Sequence, residues 1–170
     1  MKQPFNQKYL PIYGAVFMVL AGSLLHFTYQ WSGDNLLVGF VSAMNESVWE
    51  HSKLFILPLA VWGVVEYRSG LKLDRLLFAK LVQFTFMSLF ITTFFYTYTG
   101  ALGVEENLYA DIGSFIFAVA VGQHISHRIT YGKRSIPLPV KSCATLLVFT
   151  FLCFIYFSLA PPNLPLFESA

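Results

Sequence analysis

The chain has 170 residues, 56% of them hydrophobic and only 12% charged, with a formal net charge of +2. A soluble domain averages about 25% charged residues, and one of this length has no interior large enough for 18 phenylalanines, so the solvent must be lipid. A nucleic-acid surface is excluded, and no nucleotide-binding glycine loop, haem motif or nucleophile elbow occurs.

A membrane-crossing helix takes about 20 apolar residues. Five stretches reach that length, near 9–31, 47–67, 76–98, 108–130 and 142–160. The expected fold is all-α, a five-span transmembrane bundle forming a single membrane domain over residues 1–170. The first span is too long for a signal-peptide core and lacks a small-x-small site before Asp34, so it is read as retained. Within it Gly14, Met18, Gly22 and His26 recur every four residues, which places His26 on an inward face near the far end. Residues 36–44 are apolar but too short to cross. They are expected to form an interfacial or re-entrant segment between spans 1 and 2.

The stretch NESVWEHSKL, residues 45–54, opens the second span. Ser47 and Glu50 fit a capping box, in which the Ser47 hydroxyl takes the Glu50 amide and the Glu50 carboxylate reaches back. Asn45 is a further cap candidate, and Glu46 and Glu50 suit the positive end of a helix. His51 has no such explanation. Pro58 cannot donate to the carbonyl of Leu54, so the helix is expected to kink just below the cluster.

In the third span Thr85, Ser88, Thr92 and Tyr96 make a hydroxyl stripe that is expected to point inward. In the fourth, Ser114, Ala118, Gly122 and Ser126 form a small-xxx-small stripe for close helix packing. Asp111 lies on the same face and should point into the bundle. Lower on this helix, His124 and His127 either join Lys80 and Gln83 around an inner vestibule or, with Arg128, serve a helix C-terminus. Cys143 and Cys153 in the fifth span stand about 15 Å apart on a helix, too far to bridge. Residues 161–170 form a Pro-rich outer tail with Phe167 as its anchor.

Charge alternates between the connections. Lys2, Lys8, Arg68, Lys72, Arg75, Arg128, Lys133, Arg134 and Lys141 mark one side, and Asp34, Glu46, Glu105 and Glu106 the other. By the positive-inside rule the N-terminus is cytoplasmic and the C-terminus outside. His26, Glu46, Glu50, His51 and Asp111 then share the outer boundary. Two imidazoles with carboxylates suit a divalent metal such as zinc, iron or manganese, although HExxH, ExxH and HxxxH spacings are all absent. His26, His51 and Asp111 are the expected metal ligands, with Glu50 or Glu46 as general base for a bound water.

The segments HFTYQWSGDN, NESVWEHSKLFILP, YTGALG, YADIGSF and PPNLPLF resemble an uncharacterised family of small bacterial membrane proteins, a domain of unknown function. The resemblance covers nearly the whole chain and implies a multi-pass protein of the bacterial cytoplasmic (inner) membrane; it brings no activity. Three readings follow from the residues: a metal-dependent, membrane-embedded hydrolase-type enzyme, a homodimeric ion-coupled transporter, or a non-catalytic protein that binds a partner. The partners expected are the lipid bilayer and an unidentified small-molecule or lipid ligand.

Overall fold

The computed structural model describes residues 9–133 and 135–169. Lys2, Lys8 and Arg134 of the charge pattern, and Ala170 of the tail, lie outside the described residues. Helices α1 (Leu10–Trp31), α2 (Leu36–Gly39), α3 (Val48–Lys53), α4 (Ile56–Arg68), α5 (Leu73–Tyr96), α6 (Leu108–Tyr131) and α7 (Val140–Leu159) follow one another along the chain. Five stretches are long and apolar enough to cross a bilayer: Leu10–Trp31, Val48–Arg68, Leu73–Ala101, Leu108–Tyr131 and Val140–Leu159. The molecule is an all-α, multi-pass membrane protein.

The second span is two helices rather than one. The α-helical pattern lapses at Leu54 and Phe55, whose amides bond to His51 and Ser52 three residues back, at 3.3 and 3.4 Å. Pro58 is the cause: it has no amide to give the Leu54 carbonyl, so that turn has nothing to close it. The third span is longer than expected. After α5 it adds a single π-helical turn, Thr97–Ala101.

Helix α5 is the hub, packed on α3, α4, α6 and α7, while α1 packs on α6 and α4. The small stripe of α6 is buried along its length. A Cβ at Gly122 would come within 2.8 Å of Met87 on α5, so the glycine sets how closely these helices approach. On α1, Gly14, Met18 and Gly22 are buried in the same manner. Met18, Phe55, Phe84, Met87, Ile91 and Val119 fill the centre.

The hydroxyl stripe of α5 does not point inward as expected. Thr85 is exposed and donates to its own Leu81 carbonyl at 2.9 Å. The buried face carries Ala79, Lys80, Gln83 and Met87 instead. A threonine hydroxyl satisfies itself within its helix, whereas a lysine in the bilayer needs a partner inside the protein. That need decides the rotation of α5.

The partner is Glu66 of α4, 2.6 Å from Lys80 Nζ. Lys80 also donates to Gln83 at 2.9 Å, Gln83 to Gln123 at 2.8 Å, and Gln123 to Glu66 at 3.1 Å. This closed ring ties α4, α5 and α6 together. His124 and His127 stay outside it: with Arg75 and Arg128 they line a separate cavity at the end of the bundle, and His127 packs on Tyr131.

Breaking one side of a buried ion pair costs about 3–5 kcal/mol, because a charge is left unpaired, whereas replacing both partners is often neutral. Glu66→Leu is therefore expected to lower the unfolding free energy in detergent by that amount. The double variant Glu66→Leu/Lys80→Met is expected to recover most of it, as thermal denaturation of the three proteins would report.

Candidate functional site

The site grows from the turn that starts α3. Asn45 Oδ1 accepts the Ser47 amide at 2.9 Å, and Ser47, in extended backbone, caps the helix by accepting the Glu50 amide at 3.3 Å. Only this half of the capping box forms. The Ser47 amide is already held by Asn45, so the Glu50 carboxylate turns elsewhere.

It turns inward. Glu50 is 1% exposed and Lys53 0%, and they pair at 2.5 Å. Glu50 also accepts the Met44 amide at 2.8 Å and the Ser158 hydroxyl of α7. Lys53 donates to the Gly39 carbonyl at 2.6 Å and to Ser158 at 3.1 Å. Lys53, expected at the outer boundary, is instead a fully buried cation held by this network. On the same short helix Trp49 stacks on Phe154 at 4.0 Å and meets Phe167 of the tail at 4.9 Å. Ser42 anchors the 36–44 segment by bonding the Leu25 carbonyl and accepting the Tyr29 amide at 3.0 Å. Helix α3 and the preceding loop are thus pinned to α1, α7 and the tail.

Pinned in this way, His51 faces α1. Its Nε2 lies 3.1 Å from Nε2 of His26, and Glu46 Oε2 lies 3.3 Å from His26 Nε2 and 3.5 Å from His51 Nε2. Among the described residues this is the group in which three potential metal-ligand atoms converge. Ligands bound at about 2.0–2.1 Å around a tetrahedral ion stand roughly 3.3–3.4 Å apart, so the observed spacing already matches a coordination sphere. His51 Nδ1 lies 2.9 Å from the Ser47 carbonyl. A carbonyl only accepts, so Nδ1 carries the proton and Nε2 of the neutral ring presents a lone pair to the centre of the trio. Glu46, with its side chain 56% exposed, leaves the trio open to solvent.

A cavity of about 360 Å³ adjoins the trio, lined by His26, Glu46, His51, Glu106, Asp111 and Ser114 among others. Asp111 stands in its wall, where Tyr98 donates to it at 2.7 Å. Tyr98 reaches it from the π-helical turn, and Asn107 fixes the start of α6 by accepting the Tyr109 and Ala110 amides at 3.0 and 3.2 Å.

Of the expected ligands, the structure therefore brings His26 and His51 together and sets Asp111 in the adjoining wall. Of the two expected bases, Glu46 lies at the histidines, while Glu50 points away into its ion pair. Tyr98 went unnoticed in the sequence. A phenol two residues from a Tyr-x-Gly turn gives no signal until that turn folds back on α6.

The chain belongs to a family of unknown function, DUF6512, whose model matches residues 1–170. No curated protein and no solved structure matches it.

Two neighbouring glutamates should differ in kind. In protein treated with a chelator, Glu50→Ala strands the buried Lys53 and is expected to cost about 3–5 kcal/mol. Glu46→Ala, at an exposed position, is expected to stay within about 0.5 kcal/mol of the parent. Thermal unfolding in one detergent measures both.

Proposed function

We propose that this protein is a metal-dependent hydrolytic enzyme of the bacterial inner membrane, with one divalent ion, best matched by zinc, held by His26, Glu46 and His51. The observation that carries the reading is the convergence of the three ligand atoms at 3.1–3.5 Å. Two imidazoles and a carboxylate with one place left for water form a catalytic rather than a structural zinc set. In this reading Glu46 completes the ligands and Asp111 takes the role of base.

The chemistry follows from these positions. A metal-bound water loses its proton near neutral pH, and Asp111, oriented by the Tyr98 hydroxyl, accepts that proton. The water oxygen adds to the carbonyl carbon of an ester or amide. When the C–O or C–N bond breaks, Asp111 returns the proton to the leaving oxygen or nitrogen.

A transport reading has less support. A path from the histidines to the opposite end would cross the layer of Met18, Phe55, Met87, Ala118 and Val119 and then the closed Glu66–Lys80 ring. A partner-binding role for a free tail is weakened by Phe167, which already packs on Trp49 and Phe157.

In this proposal the histidine end faces outward, because Arg68, Lys72, Arg75, Arg128 and Lys141 cluster at the other end. Gly103→Cys is then expected to react with a membrane-impermeant thiol reagent in spheroplasts and Gly70→Cys only after lysis, in a background without Cys143 and Cys153. The reverse pattern would invert the orientation.

The enzyme itself is tested by metal content and turnover together. Wild type is expected to hold about one equivalent of zinc; His26→Ala and His51→Ala are expected to hold almost none. Asp111→Asn is expected to keep the metal yet lose hydrolysis of a panel of p-nitrophenyl esters and N-acyl amides. A wild type that stays metal-free after incubation with zinc, iron and manganese would sink the proposal.

A further inference from the structure

A second cavity, of about 220 Å³, meets the first at the histidines. Both are lined by His26, His51, Leu108, Asp111 and Phe115. Their other walls differ in chemistry. The first adds Glu46, Glu106 and Ser114. The second adds mainly apolar groups, Val19, Phe27, Leu54, Ile112 and Ile116, with Gly22 and Ser23. It follows the seam where α1 packs on α6, and from His26 to Val19 it descends roughly two turns, about 10 Å. Ser23, Phe27, Ile112 and Ile116 are exposed along it, so this groove is open sideways to lipid rather than closed over by another helix.

Depth along the membrane narrows what fits. Trp31 ends α1 and suits the lipid–water interface. His26 lies five residues earlier, about 7–8 Å down the helix. The polar layer on each side of the hydrocarbon core is about 5–8 Å thick. The trio is therefore level with the linkage between a lipid's acyl chain and its head, not with the outermost headgroup atoms.

We infer that the ligand is an acyl-linked amphiphile drawn laterally from the outer leaflet. Its ester or amide linkage sits at His26, His51 and Asp111, its head in the polar cavity, and one acyl chain in the α1–α6 groove. The inference deepens the hydrolase reading and rests on it for the reacting bond. The groove contributes register more than affinity, since lipid tails are as apolar as its walls and no hydrophobic gain attends the transfer. A chain laid along Val19, Ile112 and Ile116 holds its carbonyl end at the histidines, which is the orientation the reaction needs.

The test uses the full chain in vesicles of phosphatidylethanolamine and phosphatidylglycerol. These are doped with a phosphatidylethanolamine that carries a photoactivatable diazirine midway along one acyl chain. After irradiation, mass spectrometry locates the adducts. They are expected to concentrate on residues 19–23 and 112–116 over the lipid face of α7 at Val148 and Leu152. Ser23→Trp and Ile116→Trp, which fill the groove from opposite walls, are each expected to reduce them severalfold while leaving the α7 signal and the zinc content unchanged. Adducts spread evenly over α1, α6 and α7, or unaffected by either tryptophan, would overturn the inference even in a protein that binds metal. Concentrated adducts in a protein that never binds metal would leave the groove standing and remove the hydrolase reading instead.

Discussion

The arrangement of the histidine end depends on the pairing of Glu50 with Lys53. Neither charge is tolerable in a bilayer alone, and neither reaches water. Together they also satisfy Met44, Gly39 and Ser158. Each partner comes from a different piece of chain: the loop before α3, the turn after α2, and the end of α7. One ion pair therefore determines where a helix of six residues sits, although that helix is too short to hold itself in place. His51 is next to Glu50 in sequence, about 100° round the helix, so fixing Glu50 toward α7 directs His51 toward α1 and His26.

The break at Leu54 and Phe55 gives this pairing its freedom. Were α3 and α4 one straight helix, the direction of α3 would be inherited from the Glu66–Lys80 ring further down. Pro58 uncouples them. The lower ring then orients α4 against α5 and α6, and the upper pair orients α3 against α7 and the 36–44 segment. Two polar networks, separated by the apolar layer around Met18, Phe55 and Met87, each set one level of the bundle. In a medium where apolar contact gives helices no preference for one another over lipid, such pairs are the main source of unique packing.

What was legible in the sequence follows from this division. The five spans, the small-residue faces of α1 and α6, the Ser47 cap and the Pro58 break all rest on local rules, and local rules survive in lipid. His26 and His51 could be placed near each other from span direction and helical face alone. Glu46 could not, because it belongs to an irregular loop whose path is decided by Lys53 and Ser42, and no periodicity records that path. Asp111 looked inward correctly but is engaged by Tyr98, on a π-helical turn that nothing in the sequence announces. The α5 hydroxyl stripe misled because periodicity identifies a face without saying what competes with it; Lys80 had the stronger claim to the interior.

The same geometry makes Ser47 the joint between scaffold and site. Its hydroxyl caps α3 at Glu50, and its carbonyl accepts the His51 amide at 3.1 Å as well as the His51 ring. On one side of it lies Glu46, exposed and held only by the histidines; on the other begins the helix that carries His51. A cation bound by both residues would close a loop around Ser47, so ion binding and the order of the helix start are coupled. The buried pair at Glu50 and Lys53 keeps its geometry with or without that cation, because its partners are all within the protein. The scaffold is therefore rigid where charge is buried and adjustable only at Glu46, the one ligand that reaches solvent freely. That is the position from which a hydrated ion would first be met, with the two imidazoles already in place to replace its water.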